Sequence, residues 1–184
     1  IYATVFALAP SNHDVNTIWA GSDDGKIHIT QNGGKKWKDI TPKDLPKYSR
    51  VSIIEESKFN PGTLYIAANR YQVDDREPYV FKTTDYGKTW KKLGNDLPME
   101  PVNVLREDPK SSSILYIGTD GGAYASVDGG ASFMQFTNNL PIAVPVHDMV
   151  IQERENEIVL GTHGRSLYIG KLDLIQKMVT KEAK

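Results

Sequence analysis

The hydrophobic and polar positions repeat along the chain in four units. Each unit opens with a short apolar run that begins with valine, at Val5 (VFALAP), Val51 (VSIIEE), Val102 (VNVLRE) and Val146 (VHDMVI). A second apolar run follows in each unit, in order TIWAGS, TLYIAA, ILYIGT and EIVLGT. These second runs recur after 46, 51 and 43 residues, measured at Ile18, Leu64, Leu115 and Ile158. Short apolar runs bounded by turn residues predict β-strands, so the chain is expected to be an all-β repeat protein.

The stretch TTDYGKTW in the second unit predicts a tight turn between two further strands. The carboxylate of Asp85 can accept hydrogen bonds from nearby backbone N–H groups, and Gly87 supplies the positive φ that a short hairpin needs. The hydroxyls of Thr83 and Thr89 can tie the two flanks of the turn together. Trp90 is expected to be buried at the start of the next strand, since its ring carries a large apolar area.

The same turn occurs twice more with substitutions. In the first unit TQNGGKKW supplies Thr30, Asn32, Gly34 and Trp37, and in the third SVDGGASF supplies Ser126, Asp128, Gly130, Ser132 and Phe133. Trp37 and Phe133 are expected to be buried like Trp90. A period in the forties with about four short strands per unit is typical of β-propeller blades.

Residues 1–173 are therefore predicted to form part of a β-propeller with antiparallel four-stranded blades. The blades are expected at about 5–50, 51–101, 102–145 and 146–173. The turn of the first three units is called here a box. The fourth unit has no box and no outer strand, so three blades are complete and one is incomplete. In the tail, 174–184, a short helix is possible because Leu172, Ile175 and Val179 have helical spacing and Asp173 can cap it.

The three boxes resemble the Asp-box (BNR) repeats of sialidases, sortilin-type receptors and several glycoside hydrolases. Further segments narrow the resemblance, among them LYIAANRYQVDDREPYVFKTTDYGKTW, PVNVLREDP, VPVHDMV and GTHGRSLYIGKLD. Together these segments, within 5–173, resemble bacterial sortilin-like or BNR-repeat glycosyl hydrolase proteins. The resemblance implies a propeller fold and a secreted or periplasmic protein, and the box itself indicates a fold rather than a chemistry.

Propeller connectivity assigns the loops to two faces. If the strands of a blade run A to D outward from the channel, the boxes are C–D turns and share a face with the A–B turns. The opposite face, called here the loop-rich face, receives the B–C links SDDG, RYQVDDREP, TDGG and THGR. It also receives the inter-blade loops TPKDLPKYSR, GNDLPMEP and TNNLPIAVP. Charged loops on a rigid scaffold favour function, and RYQVDDREP is the one clear insertion. A solvated lid or a brace between blades remains the alternative for that insertion.

The candidate ligand-binding residues are the polar and aromatic side chains of this face. They are Asp23, Asp24, Arg70, Tyr71, Asp74, Asp75, Arg76, Asp120, His147, Asp148, His163 and Arg165. A pair of these aspartates can in principle serve glycoside hydrolysis, although adjacent acids in turns are more often turn formers. No tight ligand spacing supports a metal site, and no metal or cofactor is expected. The flanking signature of sialidases is missing, which argues against that activity.

The turn of the fourth unit is basic where the others are acidic or long. His163 and Arg165 stand in GTHGRSLYI, while His147 and Asp148 open the first strand of the same unit. Two interpretations remain open for Arg165. Its planar guanidinium can grip an anionic ligand, or it can pair with Asp120 or Asp148 and hold blades in register.

Composition adds bounds on partners. The chain has 184 residues, 39% hydrophobic content, a formal net charge of −1 and no cysteine. Without a basic block, nucleic acid is not an expected partner, and no apolar run is long enough for a membrane helix. The chain starts at Ile1 without methionine, and a piece of a longer protein is expected.

Partners would then be the remaining blades and a glycan or peptide ligand, with self-association through open edges possible. The predicted function is a binding module acting through the loop-rich face; the alternative is part of a glycoside hydrolase that acts on polysaccharide.

Overall fold

The computed structural model describes residues 3–136, 140–141 and 143–182, and the side chains of 180–182 are not described. The first sheet contains β1 (Val5–Pro10), β2 (Ile18–Ser22), β3 (Ile27–Thr30) and β4 (Lys38–Asp39). The second contains β5 (Arg50–Glu56), β6 (Leu64–Arg70), β7 (Asp75–Thr83) and β8 (Lys91–Leu93). The third contains β9 (Val102–Asp108), β10 (Ser111–Thr119), β11 (Ala123–Ser126) and β12 (Met134–Gln135). The last contains β13 (Val146–Gln152), β14 (Glu157–Thr162) and β15 (Leu167–Lys171), and α1 (Asp173–Glu182) follows it.

Each sheet is an antiparallel meander in chain order. Three sheets have four strands, and the fourth has three among the described residues. The prediction of three complete blades and one incomplete blade is therefore confirmed, as is the short helix at the C-terminal end. Parts of some predictions lie outside the described residues. They are the two ends of the chain, at residues 1, 2, 183 and 184, and the part of the loop TNNLPIAVP at 137–139 and 142.

The core lies between neighbouring sheets. The first two sheets enclose one apolar cluster that includes Trp19, the second and third enclose another that includes Tyr65, and the third and fourth enclose one that includes Tyr116. All three of these aromatic residues are fully buried. They stand on β2, β6 and β10, the second strand of each sheet, which explains why those strands read as nearly continuous apolar runs.

The predicted box turn of the second sheet is present. The Thr83 hydroxyl donates to Asp85 Oδ1 at 2.8 Å and accepts from the Gly87 N–H at 3.0 Å. Asp85 also accepts from the Thr89 N–H at 2.9 Å and from the Thr89 hydroxyl at 2.6 Å. These bonds hold the pKa of Asp85 at about 2, with the Thr89 hydroxyl the largest cause. Gly87 has a φ of 80°.

The other two boxes repeat these contacts. In the first sheet, Asn32 Oδ1 accepts from the Lys36 N–H at 2.9 Å. In the third, Asp128 accepts from the Ser132 N–H at 3.0 Å and from the Ser132 hydroxyl at 2.6 Å. Burial acts to raise the pKa of Asp128, but the bonds from Ser132 and Ser126 lower it to about 2.

Backbone hydrogen bonds confirm the two predicted faces. Each box donates one N–H to the A–B turn of its own sheet or to the start of the strand after it: Gly33 to Asn16 O at 3.0 Å, Tyr86 to Gly62 O at 3.1 Å and Gly129 to Ser113 O, in β10, at 2.8 Å. On the opposite face, backbone hydrogen bonds join the B–C links to the inter-blade loops. The N–H groups of Tyr48, Asp120 and His163 donate to Asp24 O at 2.9 Å, Pro101 O at 3.3 Å and Pro145 O at 3.0 Å, respectively.

The prediction that all three box aromatics are buried is wrong for Trp37, whose exposed fraction is 41%, and holds only in part for the other two. Trp90 and Phe133 are half-buried, and each packs against the sheet that precedes its own. The Trp90 indole N–H donates to Ile40 O at 2.7 Å. Trp37 belongs to the first sheet, and within the described residues no sheet precedes that one. The aromatic residue of a box is thus an inter-sheet contact rather than part of the core of its own sheet.

The box glycines show the same dependence on a neighbouring sheet. A Cβ added at Gly87 would lie 2.6 Å from Ile40 Cδ1, and one added at Gly130 would lie 2.7 Å from Leu93 Cδ1. Nothing lies within 4 Å of a Cβ added at Gly34. Glycine in a box therefore serves both the positive φ of the turn and a close approach to the preceding sheet.

Two buried glutamates bind the A–B turn of the preceding sheet. Glu56 accepts from the Ser11 hydroxyl at 2.6 Å and from the Asn12 N–H. Glu107 accepts from the Ser57 hydroxyl and the Lys58 N–H, both at 2.9 Å. Burial raises the pKa of Glu107, and the bond from Ser57 opposes that rise. The repeated arrangement ties the second and third sheets each to the sheet before it.

Helix α1 occupies the place of a box in the fourth sheet. The Leu172 N–H, just before the helix, donates to Asn156 O at 3.1 Å, as the boxes donate to their A–B turns. Gln176 Nε2 donates to Asp108 Oδ2 at 2.9 Å and to Asn156 Oδ1 at 3.0 Å. Leu172 is fully buried, and Ile175 packs against the same cluster. The helix thereby covers the end of the interface between the third and fourth sheets.

Candidate functional site

Two aromatic rings and an arginine meet on the loop-rich face between the first and second sheets. The Arg50 guanidinium carbon lies 5.4 Å from the centre of the Phe6 ring and 5.2 Å from the centre of the Tyr71 ring. These three residues are called here the aromatic–arginine cluster. Phe6 is 54% exposed and Tyr71 is 50% exposed. The cation holds two large rings in place at the surface.

Each member of the cluster comes from a different element. Phe6 stands at the start of β1, Arg50 begins β5, and Tyr71 opens a 3₁₀ turn (Tyr71–Val73) in the inserted loop. Arg50 Nε is buried and has no hydrogen-bond partner within the described residues. This N–H is therefore an unsatisfied donor enclosed beside the two rings.

The inserted loop is held by its own polar residues. Arg70 pairs with Asp75 Oδ2 at 2.5 Å, and the Tyr79 hydroxyl donates to the same oxygen at 2.8 Å. Burial and this bond to Asp75 raise the pKa of Tyr79 to about 12. Burial acts to raise the pKa of Asp75, but bonds from the Glu77 N–H, Tyr79 and Arg70 give a net lowering. Arg70 and Asp75 thus hold the loop that presents Tyr71 within the second sheet.

Most of the predicted acids on this face accept hydrogen bonds from the protein itself. Asp23 Oδ1 accepts from the Thr4 N–H at 2.9 Å, and Asp24 accepts from the Ser22 hydroxyl. Asp120 Oδ1 accepts from Asn103 Nδ2 at 2.9 Å. Asp74 ends the 3₁₀ turn with a φ of 58° and donates its N–H to Tyr71 O at 3.1 Å. These contacts are those of turn-forming residues.

The fourth sheet brings His147 and His163 together. Their ring centres lie 5.0 Å apart, and both side chains are exposed. Within the described residues no group of three or more His, Cys, Asp or Glu is placed to hold a metal ion. The pair confirms that the start of β13 and the turn after β14 meet on one face.

The predicted pairing of Arg165 with Asp120 or Asp148 is wrong for the described residues. Asp148 pairs instead with Arg106 at 3.4 Å, and Arg106 also pairs with Glu55 at 3.2 Å. Arg106 stands on β9 between β5 and β13, so it reaches both neighbours, whereas Arg165 lies in an exposed turn. Burial raises the pKa of Glu55, and the charge of Arg106 opposes that rise. Arg165 and Arg76 are exposed and have no ion pair with any described residue.

Sequence reasoning found Tyr71 but missed Phe6 and Arg50. Phe6 reads as an ordinary member of an apolar strand, and Arg50 reads as the last residue of a polar loop. The sequence does contain one indication that Phe6 and Arg50 belong to this surface, because both stand at the loop-rich end of the innermost strand of a sheet. What the sequence does not contain is the distance between neighbouring sheets, which decides that the two residues meet.

The chain is similar to parts of much larger proteins. It is 31% identical over 108 residues to Vacuolar protein sorting/targeting protein 10 of Laccaria bicolor, which covers 55% of this chain and 6% of that protein. It is 28% identical over 124 residues to an oligoxyloglucan-reducing end-specific xyloglucanase of Emericella nidulans, covering 65% of this chain and 15% of the enzyme. The chain thus spans only a small part of the length of these relatives.

A solved structure shows the same fold. The GH74 enzyme of Niastella koreensis superimposes with a TM-score of 0.68 at 17% identity, over 90% of this chain and 28% of the enzyme. No protein-family model matches the chain. The fold is therefore that of a β-propeller, in agreement with the strand order of the four sheets. Among the described residues, α1 and every other helix fall short of the length and apolar content that membrane crossing requires.

Proposed function

We propose that this chain is a segment of a longer glycoside hydrolase-like propeller protein and that it binds a polysaccharide on its loop-rich face. The observation that carries the proposal is the aromatic–arginine cluster, in which two rings are about half exposed and both lie within 5.4 Å of one guanidinium carbon. The proposed ligand class is a β-glucan of the xyloglucan type, because a relative over 65% of this chain is named as a xyloglucanase.

The chemistry of the cluster suits a sugar chain. Sugar rings have apolar C–H faces that pack on aromatic rings, and their hydroxyls take hydrogen bonds from fixed polar groups. Tyr71 and Phe6 supply the rings, and Arg50 supplies donors between them. A guanidinium has five N–H donors in a fixed plane, so its terminal nitrogens can donate to hydroxyls of adjacent sugars.

The role proposed for this chain is binding rather than bond cleavage. A glycosidase needs two carboxyl groups about 5–10 Å apart across the scissile bond. Asp23, Asp24, Asp75 and Asp120 accept hydrogen bonds from the protein, whereas Asp74 is exposed and accepts none from a described residue. We assign any cleavage to residues that the parent protein supplies together with this surface. A secreted or periplasmic location fits the proposal, since a polymeric glucan is met outside the cytoplasm.

The test is calorimetric titration of the chain with a xyloglucan heptasaccharide. We expect binding by the unaltered chain, and a loss of roughly tenfold or more in affinity for Tyr71→Ala, because a stacked aromatic anchor is removed. Trp37→Ala is the matched control, since Trp37 is an exposed aromatic residue on the opposite face. Equal losses in the two variants, or no binding by the unaltered chain at millimolar sugar, would contradict the proposal. Release of reducing ends by the chain alone would favour catalysis instead.

A further inference from the structure

Two imidazoles lie side by side at the loop-rich end of the fourth sheet. His147 belongs to β13, and His163 lies in the turn between β14 and β15. Their ring centres are 5.0 Å apart, and the ring planes are inclined by 39°. The two residues are 16 positions apart in the sequence, so no close ligand spacing revealed them. They are called here the histidine pair.

A β-bulge at the start of β13 orients His147. Val146 pairs with Thr162 and Asp148 pairs with Gly161, so His147 is an extra residue without a partner in the ladder. An extra residue of this kind bends its strand and re-aims the side chain, and bulges are over-represented beside functional sites. The position of His147 is therefore fixed by ladder pairs on both sides of it.

The turn that carries His163 is held at two points. The His163 N–H donates to Pro145 O, just before β13, at 3.0 Å. The Thr162 N–H and hydroxyl both donate to Ser166 O, at 3.3 Å and 2.5 Å. Gly164 has a φ of 74°, which glycine adopts without strain. Both imidazoles therefore stand on backbone that the protein itself fixes.

The ring nitrogens of the histidine pair have no hydrogen-bond partner among the described residues, and neither side chain forms an ion pair with them. Both side chains are exposed, so the nitrogens are open to solvent. The neighbouring acid, Asp148, pairs with Arg106 at 3.4 Å instead. The imidazoles are thus free to bind something that the chain does not supply.

Two neighbouring imidazoles with free nitrogens form a ligand set for a divalent transition metal. Imidazole suits Zn²⁺, Cu²⁺ and Ni²⁺, and histidine is the commonest metal ligand in proteins. Two imidazoles bound to one tetrahedral ion at about 2.0–2.1 Å have ring centres about 5 Å apart. The observed 5.0 Å is therefore the spacing of two rings that share one ion, and the backbone can stay in place when the ion binds.

We propose that the histidine pair binds one divalent transition-metal ion of the Zn²⁺ and Cu²⁺ class. Since no third His, Cys, Asp or Glu among the described residues joins the pair, the other coordination positions are left for water or a ligand oxygen. The positive charge of Arg165 in the same turn opposes the ion, so the affinity is modest. The inference does not depend on the proposed glycan binding, because the aromatic–arginine cluster lies between other sheets.

The rest of the chain supplies a matched control. It has four histidines and no cysteine, so few other side chains compete for such an ion. His13 Nε2 lies 2.9 Å from Ser57 O. His28 stands on β3 opposite Asp39, and that carboxylate is bound by Lys26 at 2.8 Å. His28→Gln therefore removes a single imidazole from a place without a second one.

The test is calorimetric titration of the 184-residue chain with zinc and copper chlorides in a buffer that does not bind metals. We expect one ion per chain, with Cu²⁺ bound more tightly than Zn²⁺ or Ni²⁺. Mg²⁺ and Ca²⁺ should not bind, because they prefer oxygen ligands. His147→Gln and His163→Gln should each weaken Zn²⁺ binding by roughly tenfold or more, whereas His28→Gln should bind as the unaltered chain does.

Imidazole NMR signals of the unaltered chain give a second measurement that needs no substitution. Zn²⁺ should shift the signals of His147 and His163 together at equimolar metal and leave those of His13 and His28 in place. Three results would overturn the proposal: no binding of Zn²⁺ or Cu²⁺ up to millimolar metal, an equal loss of affinity in His28→Gln, or a shift of only one ring of the pair.

Discussion

At the scale of single residues, the acid of a box acts as a hydrogen-bond acceptor and not as a reactive group. Asp85 accepts from two groups of Thr89 and from Thr83, and Asn32 replaces it in the first box without loss of the turn. The residue type was predicted from the sequence, because the spacing of hydroxyl, acid and glycine specifies the turn. Its consequence for stability follows from the pKa of about 2.

Asp85→Asn is expected to make the chain less sensitive to acid. A carboxylate whose folded pKa lies below its unfolded value near 3.8 stabilises the fold above about pH 4, and that contribution is lost as the pH falls toward 2. Asparagine keeps an acceptor oxygen, as Asn32 does, but does not titrate. Urea unfolding at several pH values should therefore show a shallower loss of stability between pH 4 and 2.

The control for this prediction is Asp74→Asn, because the Asp74 side chain is exposed and accepts no hydrogen bond from any described residue. It removes one carboxylate that accepts no such bond, so the effect specific to the box is the difference between the two variants. The same slope in Asp85→Asn as in the unaltered chain would show that the box carboxylate does not contribute through its ionisation.

At the scale of elements, the box turn joins two sheets as well as two strands. The sequence predicted the turn, the strand order and the two faces, because periodicity and turn chemistry are local. It failed for Trp37, since burial of a box aromatic depends on the preceding sheet rather than on the turn. The aromatic–arginine cluster escaped prediction for the same reason: Phe6 and Arg50 are 44 positions apart and meet through the packing of two sheets.

A matched pair of glycine substitutions separates the turn from the inter-sheet contact. Gly87→Ala and Gly34→Ala both place a side chain at a positive φ, of 80° and 86°. The added Cβ meets Ile40 only in the first case. Gly87→Ala should therefore cost about 1–3 kcal/mol more than Gly34→Ala, the usual range for overpacking.

Urea unfolding of the two variants measures this difference in the free energy of unfolding. If the two substitutions are equally destabilising, the contact between the box and the preceding sheet adds nothing beyond backbone strain.

At the scale of the whole molecule, the chain has two unlike faces and two open ends. Boxes and A–B turns bind each other on one face, whereas the other face holds the inserted loop, the histidine pair and the aromatic–arginine cluster. Within the described residues no sheet packs on Trp37 from before the first sheet, and none packs on Leu167 and Ile169 from after the fourth. The glycan ligand is proposed for the loop-rich face.

The most direct test of that account is amide chemical-shift mapping of the chain during titration with a xyloglucan heptasaccharide. The account predicts that the largest shifts fall on Phe6, Arg50, Tyr71 and the inserted loop that carries Tyr71, with the three boxes unaffected. Shifts centred on the boxes around Trp37 and Trp90 would contradict it, as would a spectrum that does not change at saturating sugar.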